Sequence, residues 1–281
     1  MSNLTQRTLS GIGYVTVFTL CILLGKISFC LLFTIVTALA IEEFNNILED
    51  HNLADINRTV STISGVLLFL AFYLFSSGQA SLVIFMPWTL SVVFILVSEL
   101  YLVKPHPLAN IAYTFAGQVY IAFPFALFNL LAFRPETGYS AILPLSVFVF
   151  LWLNDSGAYV FGSLLHTKIP YRLFPRVSPH KSWIGSIGGG VVVLLAACCA
   201  YLITNTEYYI LSLPAWLGLG LIIVVFGTWG DLVESLFKHQ LGMKDSGRFL
   251  PGHGGVLDRF DSALLAIPAT VIYLYSLDLI V

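Results

Sequence analysis

Long apolar runs separated by short polar connections dominate the pattern of hydrophobic and polar positions along the chain. A helix that crosses a bilayer needs about 20 mostly apolar residues. The pattern predicts an all-α, polytopic integral membrane protein with about nine transmembrane helices, at 8–24, 27–44, 60–76, 81–103, 108–132, 140–161, 184–204, 211–231 and 262–280. We divide them into an N-terminal scaffold, 1–135, and C-terminal helices, 136–281, which carry the long polar loops.

Composition supports a membrane protein and excludes several function classes. Hydrophobic residues make up 58% of the 281 positions, charged residues only 10%, and the mean hydropathy is +0.89. Soluble domains have about 25% charged residues. A soluble enzyme, a disordered chain and a nucleic-acid-binding module are therefore excluded. The net charge of -2 gives no sign of a strongly charged partner.

The basic residues predict the orientation in the membrane. With nine spans, three Lys and Arg residues fall on the side of the N-terminus and ten on the opposite side. Basic residues accumulate in cytoplasmic loops. We therefore expect a bacterial-type inner (plasma) membrane protein whose two long loops, 162–183 and 232–261, face the cytoplasm. The stretch 45–58 is interpreted as a solvated connector.

The loop 232–261 and the residue before it concentrate the charge of the chain. Nine of the 28 charged residues lie between 231 and 261. Asp231, Glu234, Ser235 and Lys238 follow helical spacing, which places them on one face of a helix that continues past the apolar run. An unpaired carboxylate such as that of Asp231 is costly at the end of a span.

Glycine, cations and two spaced carboxylates follow in the same loop. Gly-rich backbone lets N–H groups approach a phosphate closely, and Asp258 and Asp261 share one face if they are helical. Carboxylates beside cations and glycine turns indicate hard-metal ligands with a phosphate cradle. The alternative is that Asp258 and Asp261 only favour a helix N-terminus.

These residues resemble a known family signature. Ser235-Leu-Phe-Lys238, Lys244-Asp245-Ser-Gly247 and Pro251-Gly-His253-Gly254-Gly255-Val-Leu-Asp258-Arg259-Phe-Asp261 resemble the signature of the phosphatidate cytidylyltransferases, also called CDP-diacylglycerol synthases. The segments Asn154-Asp155-Ser-Gly-Ala-Tyr159 and 177–182 are also similar to the family. His239 and His180 depart from it, since the family usually has Arg and Lys there. The N-terminal half resembles the family only in its many spans, and its Glu42-Glu43 pair has no interpretation.

The resemblance implies an activity and a set of site residues. The family joins CTP to phosphatidic acid with Mg²⁺, giving CDP-diacylglycerol and pyrophosphate for phospholipid biosynthesis, and it suggests a homodimer; the composition gives no sign of a nucleic-acid partner. The implied catalytic residues are Asp231, Lys244, Asp258 and Asp261, of which the three aspartates would be metal ligands. Substrate would be held by Ser235, Lys238, Lys244, Arg259 and the backbone of Gly254 and Gly255.

Four further site residues keep alternatives open. His253 either donates to a phosphate or fixes the loop. Asp155 is charged at a membrane edge, so a partner is expected in the metal shell or in a lysine such as Lys181. Ser178 and Lys181 would bind either nucleotide or lipid phosphate.

Two other functions were weighed against lipid cytidylyl transfer. One is a related CTP-dependent transferase or kinase that acts on a polyprenol or archaeal lipid. The other is a transporter with a cytoplasmic loop, for which broken helices and mid-membrane charges would be expected. Pro124 and Pro144 are the candidate breaks, and Glu99 lies near the end of its span.

Overall fold

The computed structural model describes residues 3–134, 138–165, 171–205, 210–247 and 254–280. Within them the chain forms nine helices: α1 Asn3–Leu23, α2 Lys26–Asp50, α3 Arg58–Ser76, α4 Leu82–Tyr101, α5 Pro107–Ala132, α6 Ile142–Leu165, α7 Trp183–Asn205, α8 Leu213–Leu241 and α9 Leu257–Ser276. In this described part, seven helices, α2 to α8, are long and apolar enough to cross a membrane. The all-α polytopic class is confirmed.

Two short hairpins interrupt the helical pattern. Strand β1 (Phe133–Arg134) pairs with β2 (Gly138–Tyr139), and β3 (Arg172–Phe174) pairs with β4 (Ser178–Ser182), both antiparallel. The interpretation of 162–183 as a loop throughout was therefore wrong. α6 continues to Leu165, and β3 and β4 occupy 172–182. The strands have only two to five residues and show no regular alternation of apolar and polar positions for a sequence pattern to detect.

The stretch 45–58 is not the solvated connector that its polar residues predicted. α2 continues to Asp50, and Asn45 is buried within it. Arg58, the first residue of α3, forms ion pairs with Glu42 and with Glu49 at 3.0 Å. These pairs partly neutralise the carboxylate charge on the last turns of α2.

The chain divides into two compact units, which are described separately. Unit 1 comprises Met1–Ala141 and Met243–Phe260, and unit 2 comprises Ile142–Gly242 and Asp261–Val281. The segment Met243–Phe260, with half of the family signature, thus belongs to the same unit as the N-terminal helices.

Aromatic side chains form the core of unit 1 and hold the start of α9 there. The ring centroids of Phe29 and Phe33 are 4.9 Å apart, and Phe33 lies 4.9 Å from Phe128. Phe260 packs edge-on against Phe125 at 5.4 Å and contacts Phe18 at 5.7 Å. All six rings are buried, so Phe260 attaches the start of α9 to the N-terminal helices of unit 1 through aromatic contacts.

Glycines let α6 and α7 approach each other closely in unit 2. A Cβ added at Gly189 would lie 2.6 Å from the Asn154 carbonyl oxygen, whereas one at Gly190 would lie 3.5 Å from Val224 Cγ1. The first distance is a clash with backbone and the second is an ordinary contact.

Gly189→Ala is therefore expected to destabilise the protein by about 1–3 kcal/mol, because overpacking forces the helices apart. The measurement is the thermal unfolding temperature of the detergent-solubilised protein. Gly190→Ala is the matched control and should keep the wild-type value. Equal unfolding temperatures for the two variants would contradict the close approach.

The two prolines considered as helix breaks interrupt neither helix. Pro144 lies in the first turn of α6, where no intrahelical N–H is needed. Pro124 follows a π-helical turn, Gln118–Ala122, and α5 continues through it to Ala132. The broken helices expected of a transporter are thus not found at these positions.

Candidate functional site

The last turns of α8 carry a polar stripe, as the spacing predicted. α8 continues to Leu241 and ends at Gly242, whose φ of 66° is left-handed. Ser235 Oγ donates to Asp231 Oδ1 at 3.2 Å, and Lys238 Nζ lies 2.6 Å from Glu234 Oε2. Glu234 is buried. These i, i+4 pairs confirm the predicted helix and its polar face.

The β3–β4 hairpin brings a cation to this stripe in unit 2. Lys181 on β4 forms an ion pair with Asp231 Oδ2. Both residues line a cavity of about 490 Å³ that Asp155 also borders. Three site residues that were predicted from distant stretches are thus brought together. The cavity has other polar lining residues that were not predicted, notably Asn154, Arg172, His180 and Ser182.

Asp261 adds a third carboxylate to the cluster in unit 2. Burial raises the pKa of Asp261, the negative charges of Asp231 and Asp155 raise this pKa further, and Lys238 lowers it. Asp261 Oδ1 accepts the Ser262 N–H at 2.6 Å. A Cβ added at Gly230 would lie 2.5 Å from the Asp261 carbonyl oxygen, so glycine permits α8 to contact the start of α9. The carboxylates of Asp231 and Asp155 thus act electrostatically on Asp261, an arrangement that a bound cation would relieve.

Asp258 lies in unit 1, where its carboxylate joins two segments of the signature. It accepts the Ser246 N–H at 3.1 Å and the Gly255 N–H at 2.7 Å. In return, the Asp258 N–H donates to Ser246 Oγ at 3.3 Å. Asp258 is in the first turn of α9, so it has the helix N-terminal role that was considered as the alternative. Its role as a metal ligand stays a prediction.

Glu43 was missed as a site residue. It is buried in α2 of unit 1, and its carboxylate accepts the N–H groups of Val256 at 2.7 Å and Leu257 at 3.1 Å. It also accepts the Ser246 hydroxyl. The available signal was a carboxylate inside the predicted span 27–44, where a polar partner is required.

The comparisons with known proteins identify the family of the chain. The model of the Cytidylyltransferase family matches residues 5–277. The chain belongs to this family. A phosphatidate cytidylyltransferase of Staphylococcus haemolyticus is 32% identical over 274 residues, which cover 96% of this chain and 99% of the relative. Enzymes of the same name from Staphylococcus aureus and Staphylococcus epidermidis are 42% and 43% identical over 128 and 126 residues, about 44% of the chain. The resemblance read from the signature is confirmed.

The remaining residues implied by this cytidylyltransferase signature have varied settings. In unit 1, Lys244 is exposed at a cavity of about 730 Å³ that Glu42, Glu43 and Asp245 also line, and Arg259 is exposed. Gly254 has a φ of 82°, and a Cβ there would clash with the Asp258 carboxylate. In unit 2, Ser178 begins β4 opposite Phe174 and is half-buried. His253 lies outside the described residues.

The side chains that the structure describes include acidic residues near one another but no complete metal-ligand set. Among them, no group of three or more His, Cys, Asp or Glu residues is arranged to hold a metal ion by itself. Asp231 and Asp261 belong to unit 2 and Asp258 to unit 1. The predicted trio of aspartate ligands therefore stays a prediction.

Proposed function

We propose that this integral membrane protein transfers the cytidylyl group of CTP to phosphatidic acid, giving CDP-diacylglycerol and pyrophosphate. The observation that carries the proposal is the unit 2 cavity, in which Lys181 and Arg172 lie beside Asp155 and Asp231. Family membership supplies the reaction type, and the names of the relatives supply the lipid acceptor. Membrane helices supply a scaffold on which a lipid and a water-soluble nucleotide can meet.

Electrostatics is the main task of such a site, because both substrates are polyanions. An oxygen of the phosphatidate monoester forms a bond to the α-phosphorus of CTP, and the bond from that phosphorus to the β-phosphate oxygen breaks. Cationic side chains offset the repulsion between the reactants and the charge that develops on pyrophosphate. The ion pair with Asp231 orients Lys181 at the cavity. The phosphatidate group already ionises near neutral pH, so no general base is required.

Mg²⁺ is the proposed cofactor, and the unit 2 residues suit it. Mg²⁺ prefers oxygen ligands and is usually bound by one or two carboxylates together with substrate phosphates and water. Asp231 and Asp261 offer two carboxylates whose mutual repulsion a dication would relieve. These two residues would hold Mg²⁺, which would neutralise phosphate charge when bound.

The orientation of the site is part of the proposal. Ten of the 13 Lys and Arg residues fall on one side of the predicted nine-span topology. This excess supports a cytoplasmic location for the β3–β4 hairpin and the end of α8, where CTP is available. A homodimer is proposed from the family resemblance, and the lack of a nucleic-acid partner from the composition.

Labelled CTP tests the function directly. Purified protein with phosphatidic acid, Mg²⁺ and α-³²P-CTP is expected to produce labelled lipid, whereas γ-³²P-CTP should give labelled pyrophosphate and no labelled lipid. A heat-inactivated sample is the control. Label transferred from the γ-position would identify a lipid kinase instead, and labelling of a polyprenol phosphate but not of phosphatidic acid would identify another acceptor. Solute uptake by vesicles without CTP consumption would favour a transporter.

A further inference from the structure

Glu43 is a buried carboxylate whose hydrogen bonds reach residues more than 200 positions away in sequence. One oxygen accepts from the Ser246 hydroxyl and from the Leu257 N–H, and the other accepts from the Val256 N–H. The adjacent Glu42 differs, because it is half-exposed and pairs with Arg58 and Thr62. Two neighbouring carboxylates on one helix thus have different partners. The partners of Glu43 are N–H and O–H groups of the signature segments, 244–247 and 254–261.

Two glycines of the signature segments leave the space that the Glu43 carboxylate fills. A Cβ added at Gly247 would lie 2.6 Å from Glu43 Oε2, and one at Gly255 would clash with Glu43 Oε1. Neither glycine is in the left-handed region of φ. Close approach to Glu43, rather than backbone conformation, therefore accounts for glycine at these two positions.

The contact places a negative charge at the N-terminus of α9. The first N–H groups of a helix have no intrahelical partner, and a carboxylate there is favoured by the helix dipole. Glu43 satisfies the N–H groups of Val256 and Leu257, where α9 begins. It acts as an N-terminal cap that is supplied by another helix of unit 1.

The same contact reaches Asp258 through Ser246. Glu43 holds the Ser246 hydroxyl, while the Ser246 N–H donates to the Asp258 carboxylate. The N–H of Gly255, a glycine that packs against the Glu43 carboxylate, donates to Asp258 as well. The Asp258 carboxylate is thus bound by N–H groups of two segments, 244–247 and 254–257, and Glu43 binds both of these segments.

We propose that Glu43 is a positioning residue of the active site: its buried carboxylate joins the two signature segments and fixes the orientation of Asp258. The proposal rests on the proposed function for its catalytic consequence. Its structural part, the fixing of 244–247 against 254–258, concerns unit 1 alone and is measurable without turnover.

Glu43→Gln tests the proposal with little change in shape. One amide oxygen can replace one carboxylate oxygen, but the NH₂ group then faces a backbone or hydroxyl donor. We expect kcat to fall roughly 10- to 100-fold, as for residues that orient catalytic ligands, with KM for CTP changed less than about threefold. We also expect amide hydrogen exchange at Val256 and Leu257 to accelerate on the order of tenfold, because a hydrogen bond to a charged acceptor is lost.

Glu42→Gln is the matched control, since it removes the neighbouring carboxylate charge from the same helix. It should leave both kcat and the exchange of Val256 and Leu257 at wild-type values. Ser246→Ala serves if Glu43→Gln fails to fold. It removes only the hydroxyl that donates to Glu43 and keeps the hydrogen bonds from the Val256 and Leu257 N–H groups to Glu43, so the protein should fold. We expect kcat to fall by a smaller factor than in Glu43→Gln and the amide exchange at position 246 to accelerate.

The outcomes separate this inference from the proposed function. If the wild-type protein forms no CDP-diacylglycerol, the proposed function fails, while the exchange rates still decide whether Glu43 holds the two segments. If wild-type protein is active and Glu43→Gln keeps its kcat, the inference is overturned. An equal loss in Glu42→Gln and Glu43→Gln, or unchanged exchange at Val256 and Leu257, would overturn it too.

Discussion

Asp261→Asn is expected to lower cytidylyl transfer by roughly 10³-fold, because it removes a charge that would hold Mg²⁺ and so stabilise charge on the reacting phosphates. The same change should leave the unfolding temperature equal to that of the wild type or raise it. Burial and the like charges of Asp231 and Asp155 already disfavour the ionised Asp261 carboxylate, and the neutral amide removes that cost. Loss of activity without loss of stability is typical of residues kept for function.

Turnover of labelled CTP and thermal unfolding of the solubilised protein measure the two effects. Asp278→Asn is the control, since Asp278 is an exposed carboxylate of unit 2 with a φ of 52°, a conformation that Asn also tolerates. It should keep both wild-type activity and stability. Wild-type turnover in Asp261→Asn would refute the metal assignment, and a lower unfolding temperature would contradict the unfavourable charge environment.

The helices were predictable because each rests on a local pattern. Apolar runs of about 20 residues located the helices of both units, and the i, i+3, i+4 spacing of Asp231, Glu234 and Ser235 correctly extended α8 past its apolar part. The family signature was legible for the same reason, since its segments are short and contiguous.

Contacts between distant segments were not predictable from local patterns. Glu43 lies in an apolar run, and its partners Val256 and Leu257 are apolar residues that contribute only backbone N–H groups. No side-chain pattern can reveal such a pairing. Asp258 illustrates the same limit, because its bonds to the Ser246 and Gly255 N–H groups depend on a loop conformation. The hairpin at 172–182 was not predicted because its strands show no regular alternation of apolar and polar residues.

Lys181→Ala is expected to reduce kcat/KM for CTP by roughly 10²- to 10³-fold, the usual effect of removing one group that stabilises developing charge. Lys181 is the cation that contacts a carboxylate of the unit 2 cluster within the described cavity. Lys181→Arg should restore activity only in part, since a guanidinium keeps the charge but is planar and longer. Arg176→Ala is the control, because it removes an exposed cation from the turn of the same hairpin and should change kcat/KM little.

The stability of Lys181→Ala should change in the direction opposite to that of Asp261→Asn. Removing Lys181 leaves the Asp231 carboxylate without its cation and close to Asp155 and Asp261, so the unfolding temperature should fall. Asp261→Asn, which removes a negative charge from the same cluster, should not lower the unfolding temperature. A lower unfolding temperature in Lys181→Ala beside an equal or higher one in Asp261→Asn would show that net negative charge in the cluster is a cost to the fold. Equal activity in Lys181→Ala and Arg176→Ala would instead show that Lys181 contributes no more to turnover than an exposed cation of the hairpin turn.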